Sequence, residues 1–175
     1  MQIRHLVTPL ALATLLITGL AASAHAGSGR TPAAAPGAQS DNLRRTKDFL
    51  SDFQRRDLAA VGAKLSPRVT LTMPITFTGA QTPDTRYTNK EQVLGYFRTV
   101  FGTMGRVRFT DQRLSVASGG RTIFVQTYGD FTTADGRPYK NVYLFRFDWR
   151  DGLIVAGEEY TNPVTFSKTF GAPLG

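Results

Sequence analysis

The sequence contains no cysteine, and its only histidines, His5 and His25, both fall within the first 26 residues. Without thiols no disulfide framework supports the fold, and thiolate nucleophiles and thiolate metal sites are excluded. Without histidine beyond residue 26, the rest of the chain cannot build a Ser-His or Cys-His nucleophile pair, a His-ligated zinc site or an imidazole acid–base group. No metal site and no cofactor are expected, and any proton transfer must fall to Asp, Glu, Tyr or Lys. Long cationic runs are also lacking, although Lys and Arg exceed Asp and Glu by 21 to 13 and the formal charge is +8. A basic balance of this size ordinarily suggests nucleic acid or an anionic membrane. Here Arg44, Arg45, Arg55, Arg56, Arg106, Arg108, Arg113 and Arg121 alternate with acids or neutral residues, so the charge is dispersed and a nucleic-acid partner is not expected.

The first 26 residues read as an address. Arg4 precedes an apolar run over 6–22, and Ala24-His25-Ala26 supplies the small-x-small pattern that signal peptidase cuts. Pro9 and Gly19 interrupt that run, and no further apolar stretch of about 18 residues follows. A cleaved signal over 1–26, a mature chain starting at Gly27, export to the periplasm or the medium and no stable membrane span are therefore expected. Residues 27–40 are rich in Ala, Gly, Pro and Ser and carry no core former larger than alanine, which predicts a disordered linker ahead of a single domain over 41–175.

Periodicity then divides that domain into a helical half and a strand half. Asp41 can cap a helix in which Leu43, Thr46, Leu50 and Phe53 recur at helical spacing, with Phe49 on a neighbouring stripe. Asp57 can cap a shorter helix carrying Leu58, Val61 and Leu65, stopped by Ser66-Pro67. Residues 69–73 alternate apolar with threonine as a half-buried strand does. After a loop over 79–86, Thr88-Asn89-Lys90-Glu91 has the form of a capping box opening a third helix with Val93, Tyr96, Phe97, Val100 and Phe101 on its buried face, and Gly102 at its expected stop. From Arg106 the period drops to two, and strands are predicted over 106–117, 122–133, 139–149 and 153–162. Gly119-Gly120, Asp135-Gly136 and Asp151-Gly152 separate them, each a dipeptide that accepts the positive φ of a tight hairpin. Helices first and a meander second argue an α+β fold, with the helices on one face of a curved antiparallel sheet.

These residues resemble the SnoaL-like branch of the NTF2-like superfamily. The likeness rests on the Phe-rich first helix, the short helix opened by Asp57, the Val-Thr-Leu-Thr-Met-Pro strand, the third helix, and above all Asp151-Gly152-Leu153-Ile154 followed by Glu158-Glu159-Tyr160-Thr161-Asn162-Pro163. The resemblance implies a cone of three N-terminal helices on four long strands plus a short first strand, enclosing a small apolar pocket. It does not fix a reaction, since relatives include isomerases, cyclases, hydrolases, dehydratases and domains without known chemistry.

Two branches permit a residue-level test. Similarity to ketosteroid isomerases puts Phe49 where their tyrosine stands, Met73 at the carboxylate base and Tyr143 at the remaining oxyanion donor; Phe and Met exchange no protons, so that activity loses two of its three groups. Similarity to limonene-type epoxide hydrolases puts Asp130 and Glu159 at the two water-binding carboxylates but Tyr128 at the bridging arginine, and two unbridged carboxylates repel. Asp130 and Glu159, with Tyr128 or Tyr143 donating a hydrogen bond, are the candidate catalytic groups.

Strand alternation allocates the pocket. The resemblance turns Phe124, Gln126, Tyr128 and Asp130 inward, together with Asn141, Tyr143, Phe145 and Phe147 on the next strand and Glu159 and Thr161 on the last. With Phe49, Phe53, Met73, Tyr96 and Phe97 they make a mainly aromatic site for a small apolar molecule. The same aromatics serve equally as core, and Asp130 could simply pair with Arg137. The opposite face, with Ile123, Val125, Phe131, Val142 and Leu144, is too apolar to be left in water, which predicts a homodimer packed sheet to sheet. Two functions follow: a pocket for a small apolar or aromatic molecule with carboxylate acid–base chemistry, or a non-catalytic binding or assembly module of the cell envelope.

Overall fold

A computed structural model describes residues 36–174, apart from 84 and 118; the expected signal and residues 27–35 of the expected linker lie outside the described residues. The described residues open with α1 (Pro36–Gln54), which takes in residues 36–40 rather than starting at Asp41. Proline is tolerated there because the first turn of a helix has no use for its missing N–H. α1 buries Thr46, Phe49 and Leu50. A threonine inside a helix needs a reason, and Thr46 has one: its hydroxyl donates to the Asn42 carbonyl at 2.8 Å and accepts from the Trp149 indole at 3.0 Å. Asn42 in turn donates to the Gly120 carbonyl at 3.1 Å, so this stripe of α1 is fastened to the strand half.

α2 (Leu58–Ala63) is capped by Asp57, whose carboxylate accepts from the Ala60 amide at 2.9 Å. Asp52, buried, pairs with Arg55 and Lys64 and ties the end of α1 to the end of α2. β1 (Leu65–Met73) begins earlier than the predicted residue 69 and carries Pro67. Its pairing with the last strand lapses between Leu65 and Thr70, as it must around a residue with no N–H to give a ladder. β2 (Thr85–Tyr87) follows.

α3 (Lys90–Thr103) is capped one residue later than predicted. Asn89 accepts from the Gln92 amide at 2.9 Å, while the Gln92 side chain accepts from the Thr88 amide at 2.8 Å, so Gln92 rather than Glu91 closes the reciprocal pair. The helix also runs through Gly102 and ends where Met104 turns extended to begin β3 (Met104–Arg106). β4 (Phe109–Val116), β5 (Thr122–Thr133), β6 (Pro138–Arg150) and β7 (Leu153–Thr161) form the meander. The strand predicted over 106–117 is thus divided, and a bulge at Asp111 (φ 51°) interrupts its register between Thr110 and Arg113. The hairpins turn at Gly119-Gly120, Gly136 and Asp151-Gly152, all at positive φ.

A C-terminal helix absent from the prediction, α4 (Pro163–Phe170), has Asn162 as its cap and ends at left-handed Gly171. The curved sheet runs β2-β1-β7-β6-β5-β3, with β4 also on β5. It is mixed rather than purely antiparallel, because β1 lies parallel to β7. Phe49, Leu50, Val93 and Phe97 of α1 and α3 share one buried cluster with the strands, which makes the expected α+β cone. Among the described residues no helix is long and apolar enough to cross a membrane.

Candidate functional site

The inner face of β6 sets the site. Tyr143, Phe145 and Phe147 point the same way at a period of two and stack as a column, with ring centroids 5.4 and 5.8 Å apart and planes 9° and 13° from parallel. Room for this column comes from β5. A Cβ on Gly129 would lie 2.6 Å from the Tyr143 ring, so only glycine fits beneath it, and the neighbouring Thr127 turns its hydroxyl away to the Thr110 carbonyl at 2.6 Å.

β5 therefore presents Ile123, Val125, Thr127, Gly129 and Phe131 inward, the reverse of the expected orientation. Gln126 and Tyr128 are exposed on the outer face, and Asp130 is held there by Arg106 at 3.0 Å and Lys140 at 3.8 Å. The physical reason is burial: Ile, Val and Phe lose more from contact with water than Gln, Tyr and Asp do. Arg137, the other suggested partner of Asp130, pairs with Asp135 instead. Asn141 is buried but structural. Its amide donates to the Tyr139 hydroxyl at 2.7 Å and the Asn162 carbonyl at 3.2 Å, and its oxygen accepts from the Val142 and Asn162 amides, which consumes its capacity in holding β6 to the start of α4.

The β6 column, the inner faces of α1 and α3 and the ends of β1, β2 and β7 enclose a cavity of about 330 Å³. Phe49, Phe53, Met73, Tyr96, Phe97 and Phe145 line it, as do Tyr143 and Glu159. Gln126 and Asn141 do not. Asp130 and Glu159 lie on opposite faces of the sheet, so they cannot share a water.

Among the described residues Glu159 is the cavity's one acid, and no Lys or Arg lines it. Directly across from Phe145 on the neighbouring strand, its carboxyl accepts a 3.1 Å hydrogen bond from the Tyr96 hydroxyl. Burial raises its pKa to about 7 against the lesser, lowering pull of that bond. Burial also pushes the Tyr96 and Tyr143 phenols well above their ordinary value, with the Glu159 charge acting in the same direction, so both stay protonated donors. Tyr96 stacks on Tyr87 at 5.2 Å and 19°. Two residues beyond Glu159 on the same face, Thr161 Oγ1 is buried without a hydrogen-bond partner among the described residues.

At one edge, Ile75 and Phe77 line the cavity while 47% and 36% exposed, and Phe77 packs on Phe166 of α4 at 5.4 Å. Sequence reasoning missed this rim, together with Tyr87, Tyr139, Phe166 and Phe170. The Asn162-Pro163 start and Gly171 stop of α4 were the available signals. The pairing of Tyr96 with Glu159 had no sequence signal at all.

Residues 46–157 match the SnoaL-like domain. The chain belongs to that family. No curated protein sequence matches this SnoaL-like chain, but many solved structures share its fold. A Bacillus subtilis protein provisionally named an isomerase superposes with a TM-score of 0.68 at 18% identity, covering 79% of this chain and 99% of its own. An NTF2-like protein of unknown function from Burkholderia pseudomallei gives 0.62 at 20%, covering 75% and 98%. An LEH-like epoxide hydrolase of M. tuberculosis gives 0.59 at 16%, covering 74% and 88%. At these identities the similarity establishes the NTF2-like fold of this SnoaL-like protein.

Proposed function

We propose that this SnoaL-like domain holds a small, largely apolar or aromatic molecule in its cavity and exchanges a proton with it through Glu159. One observation carries the reading: a half-buried carboxyl with its pKa raised to about 7 in a cavity whose walls are otherwise mainly aromatic. Such a group is populated as both acid and base near neutrality, the condition under which proton exchange is efficient. Tyr96 orients the carboxyl, and Tyr143 and Thr161 offer hydrogen bonds to the ligand. Asp130 and Tyr128 have no part in it. The names isomerase and epoxide hydrolase carried by two of the similar structures agree with a small-molecule site in this fold. The test is a thermal-shift screen of the purified protein against lipophilic aromatic compounds, followed by turnover assays with Glu159→Gln. Compounds that bind should raise the melting temperature, and the variant should lose turnover. A screen in which nothing raises it refutes the reading.

The second reading, an assembly module, draws on the outer face. Tyr128 and Val142, directly paired across β5 and β6, are 50% and 49% exposed, and Leu144 beside Tyr160 is 39% exposed. Such a stripe favours a second copy of this chain packed sheet to sheet. Its members are Tyr128, Val142, Leu144 and Tyr160, since Ile123, Val125 and Phe131 belong to the core. Export after cleavage before Gly27 completes the proposal, and the mass of the protein recovered outside the cytoplasm tests it.

A further inference from the structure

The chain carries 21 Lys and Arg, yet among the described residues none lines the cavity that holds Glu159. Among those residues the titratable groups facing Glu159 are all phenols: Tyr87 from β2, Tyr96 from α3, and Tyr139 and Tyr143 from β6. A carboxylate drawn out of bulk water, as half-buried Glu159 is, gains from a cation and several donors. This one has a single donor, on Oε2, and its Oε1 has no hydrogen-bond partner among the described residues. Around it stand Tyr and Phe rings, a type of wall that attracts cations through the negative quadrupole of its faces. Tyr87 and Tyr96 form one stacked pair 5.2 Å apart, and Tyr143 and Phe145 form another 5.4 Å apart.

We infer that the cavity takes a lipophilic amine, held as its ammonium ion by the Glu159 carboxylate and the surrounding Tyr and Phe rings. This rests on the reading of the cavity as a small-molecule site and names the ligand class. A neutral ligand leaves the Glu159 carboxylate without a counter-charge. An ammonium ion supplies that counter-charge, donates to the free Oε1 and presents its charge to the rings. The apolar body then fills the aromatic part of the cavity. A dry cavity of about 150 Å³ takes one benzene, so the 330 Å³ here has room for about two rings.

Binding of an ammonium ion requires the ionised carboxyl, so it should release a proton wherever Glu159 is protonated in the free protein. Affinity should rise with pH up to about 7 and then level off. The experiment is titration calorimetry of the purified protein with naphthylmethylamine and with its neutral counterpart naphthylmethanol. At about pH 8 the amine should bind at least about tenfold more tightly than the alcohol. At about pH 6 the amine should weaken by about tenfold, with proton uptake by the buffer, and the alcohol should show no comparable change. In Glu159→Gln, checked for folding by thermal melting, the ratio of the two affinities should fall to about one. Tyr87→Leu, which leaves the carboxyl in place, should lower that ratio severalfold. Equal affinities in the unaltered protein, or an amine preference that survives Glu159→Gln, overturns the amine assignment, and binding of the alcohol then still supports the cavity as a small-molecule site. Binding of neither probe overturns both.

Discussion

The Tyr96 hydroxyl donates a 3.1 Å hydrogen bond to Oε2 of Glu159, joining the middle of α3 to the far end of β7. It is the one interaction that favours the ionised carboxyl against the cost of burial. Removing it with Tyr96→Phe should raise the Glu159 midpoint above about 7 by about one to two pH units, the equivalent of one hydrogen bond to a charged group. Carbon-13 NMR of labelled glutamate reads this directly, and an unmoved midpoint refutes the assignment of Tyr96 as the orienting donor.

Stability should carry the same signature. Folding raises the Glu159 pKa from the ordinary 4.5 to about 7, so the folded state binds this proton more tightly than the unfolded state. The contribution to stability is fully present below about pH 4.5 and is lost as pH rises through 7. Across that window the loss amounts to about 3 kcal/mol. Glu159→Gln, which cannot ionise, should be about as stable as the unaltered protein in acid and more stable by up to about 3 kcal/mol at about pH 8. Urea denaturation at several pH values measures the difference, and a constant difference across pH contradicts the buried-acid account.

Gly129→Ala probes the space under the aromatic column. The added Cβ would stand 2.6 Å from the Tyr143 ring and 3.2 Å from that of Phe131, and neither ring is free to move because each is stacked on the other at 5.6 Å. Destabilisation of about 1–3 kcal/mol is expected, together with a change in cavity shape that weakens ligand binding.

Thr46→Val tests the fastening between α1 and β6. Valine keeps the volume but leaves the Trp149 indole N–H buried without its acceptor, which should cost about 1–3 kcal/mol. Trp149 is the only tryptophan, so its emission reports both the unfolding transition and the altered native environment.

Val142→Glu addresses the outer face. Val142 is 49% exposed and its pair partner Tyr128 is 50% exposed, so the substitution should leave the folded monomer intact. A charge in the middle of a sheet-to-sheet interface should convert a dimer to a monomer, as read by light scattering on a size-exclusion column. An unchanged mass moves the interface elsewhere.

Element order was legible because each boundary has a local cause: Asp57 as a cap, and Gly119-Gly120, Gly136 and Asp151-Gly152 as positive-φ turns. Orientation was harder. A period of two separates the faces of β5 without saying which is inside, and the resemblance pointed the wrong way. The composition of the strand held the answer, since Ile123, Val125 and Phe131 outweigh Gln126, Tyr128 and Asp130 in burial energy. Gly129 adds nothing to that balance of side chains, and only the fold places the Tyr143 ring over it. In the site, Phe49, Phe53, Met73, Tyr96, Phe97, Phe145, Tyr143 and Glu159 were reachable from helical and strand periods. That no described Lys or Arg lines the cavity around Glu159 depends on contacts between distant segments, which no local pattern encodes.

The parallel pairing of β1 with β7 has a kinetic consequence. Leu65 meets Ile154 and Leu71 meets Gly157, so the strand ending at Met73 finds its neighbour only after β2, α3 and β3 to β6 have been made. Contacts of such long sequence separation slow folding. A fragment that stops before β7 lacks Glu159 and one wall of the cavity, and the aromatic column of β6 waits for β7 as its neighbour.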